Sequence, residues 1–257
     1  VKKFLPGTRR WLKLLIATEL IVLAIAVLIL VAITPPVANA LKSLCNTMYS
    51  RRSTLLRQLL EHLQLTFSAM GLAILAGVSV GILLTRFRKF ATPVLGAASV
   101  IQTIPSLALV ALMLPIMGIG TKSGITALFL YALLPIMRNT YTAIEEVDPA
   151  MIEVGRGMGM TQWQILYRIE IPLCIPVVMA GIRTAAVICV GIATLCSFIG
   201  AGGLGDTIMF GLQTRGSELI LAGVIPAILL ALSLDGLAAL IQSILTPRGL
   251  KLQSSSS

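Results

Sequence analysis

The chain has 257 residues, of which 57% are hydrophobic and 12% charged, leaving too little polar surface to cover a soluble globule. Its net charge of +10 falls in short basic clusters between apolar stretches, which sets those residues against anionic membrane lipids rather than nucleic acid. One histidine, His62, and four cysteines without CxxC spacing, Cys45, Cys174, Cys189 and Cys196, supply no metal cluster, no disulfide framework and no histidine-based catalytic triad.

A helix needs about 20 apolar residues to cross the hydrocarbon core. Six stretches qualify, 14–33, 63–85, 93–117, 123–142, 172–199 and 219–245, so the expected fold is an all-α membrane protein with about six transmembrane helices. The first follows a basic tail (Lys2, Lys3, Arg9, Arg10, Lys13) and carries Glu19 at its margin. Basic start, apolar run and the triplet Ala38-Asn39-Ala40 together imitate a cleavable signal peptide. The run is longer than a usual signal core and Pro35-Pro36 ends it, so a retained span is expected, with cleavage the alternative.

Lys42, Arg51, Arg52 and Arg57 come next. Leu55, Leu56, Leu59, Leu60 and Leu63 recur beside them at helical spacing, which predicts an interfacial helix over 51–65 leading into the second span. The second and third spans hold no charge, and the third contains Gln102 and Pro105. Prolines 105, 115, 135, 176 and 226 interrupt spans three to six, either as bends around a pathway or as the prolines that membrane helices ordinarily tolerate. With the N-terminus inside, thirteen Lys and Arg fall in cytoplasmic segments and six outside, which places both termini in the cytoplasm.

Between spans four and five lies a connection of mixed polarity, 138–171, ending at Pro172. Asp148 before Pro149 is a helix start, since the carboxylate accepts an orphan amide hydrogen and proline is preset for the first turn. The helix runs through Met151, Ile152 and Glu153, and Gly155, Gly157 and Gly159 keep it short and end it near Gly159. Thr161-Gln162-Trp163-Gln164 fits a capping box opening a second helix, and Pro172 marks the start of span five. A short helix, a glycine turn and a second helix form a compact knob suited to docking on another protein, the plain alternative being an ordinary interfacial loop.

Glu153-Val154-Gly155, Gly159 and Ile169-Glu170-Ile171-Pro172 resemble the signature loop of binding-protein-dependent ABC importer permeases, EAA, three residues, G, nine residues, I-x-L-P. Val154 and Gly155 stand for the two alanines and Ile171 for the leucine. Ile101-Gln102-Thr103-Ile104-Pro105-Ser106, Tyr131-Ala132-Leu133-Leu134-Pro135-Ile136, Arg156-Gly157-Met158-Gly159-Met160 and 200–206 (GAGGLGD) look like the branch that imports glycine betaine, carnitine, choline and related osmoprotectants. The resemblance implies a type I importer permease fold in the bacterial inner membrane, with 1–58 as tail, first span and external segment, 59–247 as the transmembrane domain and 248–257 as a cytoplasmic tail. It further implies two permease subunits, identical or related, two cytoplasmic ATPase subunits that bind and hydrolyse ATP, and an external solute-binding protein. No enzyme activity or cofactor falls to this chain. Pro149 to Gly159 would be the coupling helix, with Glu153 on the ATPase groove and Gly159 setting the turn.

GAGGLGD also satisfies G-x-G-x-x-G through Gly200, Gly202 and Gly205. It follows an apolar helix rather than a strand, so these glycines with Gly203 and Asp206 are expected in a bend or re-entrant segment at the outer mouth. Gly120-Thr121-Lys122-Ser123 lacks the glycine before lysine of a phosphate loop. Arg183 and Asp235 lie inside spans, either on a transport path or paired, with each other or with a neighbouring subunit, to hold the bundle. Phe129, Tyr131, Phe198 and Phe210 are the aromatics available to a quaternary amine. Other readings are the same importer with an amino acid, thiol compound or sulfonate as cargo, and a secondary transporter working without ATPase subunits.

Overall fold

The computed structural model describes residues 35–246, and among them every regular element is helical. The first expected span, Glu19 and the basic tails lie outside the described residues. The described residues up to Ser50 belong to a unit separate from the rest, in which α1 (Pro35–Ser50) contains Ala38-Asn39-Ala40 and the Ser50 hydroxyl donates to the Thr47 carbonyl at 3.0 Å.

The second unit begins at Arg51 with α2 (Arg52–Arg86), followed by a 3-10 turn (Arg88–Phe90), α3 (Ala91–Thr103), α4 (Ser106–Leu112), α5 (Leu114–Met117) and α6 (Thr121–Glu145). The connection holds α7 (Pro149–Gly157) and α8 (Gln162–Ile165), and a π turn (Leu166–Glu170) joins α8 to α9 (Ile171–Ala193). A 3-10 turn (Leu195–Ile199), α10 (Gly205–Thr214) and α11 (Ser217–Leu245) complete the order.

Three helices among the described residues are long and apolar enough to cross a membrane: α2, the continuous run Gln162–Ala193, and α11. The third expected span is a broken pair, Arg88–Thr103 and Ser106–Met117, bent by 100°. The break sits at Ile104-Pro105, where the residue before proline is forced into extended backbone and proline offers no amide hydrogen. α6, the fourth expected span, is 25 residues and about 37 Å long, and carries Arg138, Asn139 and Thr140 in its second half. It packs between α2 and α9, so Ser123 and Thr140 are buried against protein instead of lipid.

The surface-lying helix expected over 51–65 is not separate. No proline or glycine interrupts this stretch, and α2 runs through it unbroken. Gln58 and His62 are buried there along with Leu55 and Leu65, so its inner face belongs to the bundle while Leu56 and Leu60 stay outside.

Apolar side chains gain little by leaving lipid, so these helices associate through backbone proximity and close contact. Gly77 and Gly81 provide the approach of α2 to α6: a Cβ on Gly77 would stand 2.9 Å from Ile136 Cγ2, and one on Gly81 2.9 Å from the Met137 carbonyl oxygen. On the other side of α6, Gly181 of α9 lies so near that a Cβ would meet the Pro135 carbonyl oxygen at 2.7 Å. Small residues fill the core between them, including Ala69, Ala73, Ala127, Ala132, Ala185 and Ala193. Gly71, on the same helix, has open space around it. Replacing Gly81 by Leu is therefore expected to destabilise the bundle by about 1–3 kcal/mol through overpacking, while Gly71→Ala leaves it as stable or slightly more so. Thermal unfolding of the detergent-purified variants measures the difference.

Candidate functional site

The connection after α6 is organised by its own backbone chemistry. Asp148 Oδ1 accepts from the Ala150 amide at 2.9 Å and Pro149 occupies the first turn of α7. Past the other end, Gly159 takes φ +76°, Met160 N–H donates to the Gly155 carbonyl at 3.1 Å, and Gly159 N–H to that of Arg156 at 2.9 Å. This is a Schellman closure, which a residue with a side chain adopts only under strain. The helical residues stop at Gly157, and Gly159 makes the turn. The capping box then forms in both directions: Thr161 N–H donates to Gln164 Oε1 at 2.8 Å and Gln164 N–H to Thr161 Oγ1 at 3.4 Å.

Pro172 stands in the first turn of α9, as expected, but helix does not begin there. The helix is continuous from Gln162, and the π turn just ahead of Pro172 accommodates the bond its missing amide hydrogen cannot make.

The two helices pack through Gly155, which is buried; a Cβ there would come within 2.7 Å of Ile169 Cδ1 and 3.3 Å of Ile165 Cγ1. Ile152 turns inward against Ala143, Ile144 and Val147 at the end of α6. Outward, Met151, Val154 and Met158 follow one another at helical spacing and are 50–62% exposed. Trp163 stacks on Tyr167 with ring centroids 6.3 Å apart, both also exposed. Arg86 Nη2 to Glu170 Oε2 at 2.6 Å, with Glu170 buried, ties the knob to the end of α2, and Arg88 Nη2 to Glu145 Oε2 at 3.0 Å ties the turn after α2 to the end of α6. Beside them a cavity of about 290 Å³ is lined by Glu153 and Arg156, neither of which joins an ion pair among the described residues.

The other expected site residues lie elsewhere in the bundle. Gln102 Nε2 donates to the Tyr131 carbonyl at 2.9 Å, and the Tyr131 hydroxyl donates to the Ile104 carbonyl, so the break at Pro105 is bound to the middle of α6. Pro135 faces Gly181 across the α6–α9 contact. Gly200, Gly202 and Gly203 all take positive φ, Gly205 opens α10 and Asp206 lies in its first turn. Gly203 N–H donates to Glu61 Oε2 at 3.0 Å, and a Cβ on Gly202 would stand 2.7 Å from the same oxygen. The glycine run is therefore a turn wrapped around a carboxylate, in keeping with the expected bend. Thr207 donates to Gln58 Oε1 at 2.5 Å, adding a second tie to α2. Arg183 and Asp235, of α9 and α11, form a two-pronged pair at 2.7 and 2.9 Å.

The sequence did not single out Arg86 with Glu170, or Glu61 with Gly203, because each joins residues far apart in the chain. Gly77 and Gly81, four apart on one helix, were a readable small-residue signal.

The family model for the inner membrane component of binding-protein-dependent transport systems matches residues 72–249, which take in the knob and both of its flanking helices. The chain belongs to that family. It is the permease of an ABC importer. It is 50% identical over 197 residues to the carnitine transport permease protein OpuCB of Listeria monocytogenes, covering 77% of this chain and 90% of the relative. It is 46% identical over 191 residues to the glycine betaine/carnitine/choline transport system permease protein OpuCB of Bacillus subtilis (strain 168), covering 74% and 88%. The MetNI methionine ABC transporter in an inward facing conformation shares the fold, with TM-score 0.70 and 23% identity over 77% of this chain and 99% of that one.

Asp148→Ala removes a helix cap, an expected loss of about 1 kcal/mol, and Gly159→Val adds left-handed strain of about 1–2 kcal/mol. Both are local to the knob, so hydrogen exchange should quicken over residues 148–165 in each variant while α2 and α6 keep their protection.

Proposed function

We propose that the 148–171 knob of this permease docks on a cytoplasmic ATPase subunit and carries its motion to the helices. The observation that supports this is the two-sided build of α7. Its outer face presents Met151, Val154 and Met158, with the free charges of Glu153 and Arg156, whereas its inner face is seated on α8 and the π turn through Gly155 and on the end of α6 through Ile152. An exposed apolar stripe on a rigidly capped helix fits a hydrophobic groove on a partner. ATP binding and hydrolysis belong to that partner, and this chain supplies no catalytic residue.

In this reading the knob and both chain termini are cytoplasmic, and the turn at Gly200–Asp206 is on the far side, facing a solute-binding protein. A second permease, identical or related, completes the pathway. The cargo is an osmoprotectant of the glycine betaine, carnitine and choline class, supported by the names of the relatives.

Co-purification tests the docking. The assembled importer should lose its ATPase on Glu153→Lys or on Met151→Asp, with the permease still folded; retention of the ATPase by both variants overturns the docking surface. Orientation is tested by a Gln162→Cys probe in a Cys45→Ser background, which should react with a membrane-impermeant maleimide only after cells are opened. Uptake of labelled glycine betaine, carnitine and choline by the reconstituted importer tests the cargo.

A further inference from the structure

Arg183 and Asp235 lie near the middle of two apolar helices, yet their side chains are 34% and 35% exposed on this chain. An ion pair one-third exposed at that depth is costly against lipid, so its open side faces water, solute or a second permease. A groove of about 470 Å³ adjoins it, lined by Ala180, Thr184, Val187 and Ile188. Thr184 is already committed to the Ala180 carbonyl at 3.0 Å, so apart from the pair this lining is apolar or self-satisfied. Gln242 stands behind: its Oε1 is 3.5 Å from Arg183 Nη1 while its Nε2 donates to the Pro176 carbonyl at 3.3 Å.

Resting on the importer reading above, we infer that the Arg183–Asp235 pair is a charge-exchange site that selects zwitterionic solutes over cationic ones. Closed, the pair is neutral and satisfies itself. Opening it for a simple cation would leave the guanidinium uncompensated, and opening it for an anion would strand the carboxylate, each a penalty in a poorly solvated place. A zwitterion brings both missing charges at once. Its carboxylate takes the two-pronged guanidinium, and its ammonium, quaternary or not, lies against Asp235, with methyl groups on the apolar walls. Gln242 keeps Arg183 oriented while the acid is disengaged, because its amide oxygen is a neutral acceptor that competes weakly with a carboxylate. Arg183 and Asp235 are thus specificity residues, and Gln242 is a positioning residue.

The test is uptake by the reconstituted importer of glycine betaine against choline, which differ in carrying or lacking the carboxylate. Arg183→Gln should shift the ratio of the two rates toward choline by about tenfold or more, because it removes the carboxylate's partner and frees Asp235 for a cation. Asp235→Asn should depress both solutes. Gln242→Leu should raise the KM for glycine betaine more than it lowers kcat. The charge-swapped double variant, Arg183→Asp with Asp235→Arg, keeps a pair and controls for assembly, as does ATPase co-isolation for every variant. A pair that merely holds the bundle, or lies against a second permease, would make both solutes fall in parallel in Arg183→Gln, with the ratio unchanged within about twofold, and this overturns the inference. Where the wild-type importer carries neither osmolyte but an amino acid, the cargo reading fails by itself. The same ratio taken between that amino acid and its cationic methyl ester then decides the pair.

Discussion

Backbone-to-backbone approach at Gly77, Gly81 and Gly181 is the constraint on which this bundle rests. In water, helices are driven together by burying apolar side chains; in lipid that drive is weak, and contact distance takes its place. Glycine at the crossing points brings α2 and α9 against opposite sides of α6. With both neighbours this close, α6 can carry hydroxyls, an asparagine and a proline in what would otherwise be an exposed span. The break at Ile104-Pro105 depends on the same arrangement, since its loose carbonyl is taken up by Tyr131, which α6 holds in place. Irregular backbone at membrane depth is stable where protein supplies the missing partner.

The knob extends this logic out of the bundle. Its caps make α7 and α8 rigid as local pieces, Gly155 joins α7 to α8 and the π turn, which runs on into α9, and Ile152 seats α7 on the end of α6. Arg86 and Glu170 then fasten that body to α2, at an acid shielded from solvent whose charge needs the arginine. A surface offered to a partner is useful for transmission only if it cannot yield separately from what lies behind it, and the outer methionine stripe is backed in this way.

Features set by neighbouring residues were legible in the sequence. Asp148 before Pro149, Gly159 as the turn and the Thr161–Gln164 capping box each depend on a few consecutive residues, and all three stand as expected. The glycine run at 200–205 was recognisable as a bend, though not as the cradle of Glu61. The length of α2 was missed because charges among leucines suggested a surface helix, while the burial of Gln58 and His62 that makes it a bundle helix is decided by residues more than a hundred positions away. The continuity of α8 with α9 ahead of Pro172 was missed for a related reason: a π turn, which has no sequence mark of its own, joins them. Arg183 and Asp235 were legible as intramembrane charges that could pair with each other, and the crossing of α9 and α11 makes that pair.

The unbroken course of α2 has a mechanical meaning. Glu61 grips the glycine turn near one end and Arg86 grips Glu170 at the other, with about 37 Å of uninterrupted helix between them. No hinge lies along this strut to dissipate a push. Displacement at one face of the membrane is thereby delivered to the opposite face by a single rigid rod, rather than relayed through a succession of loops.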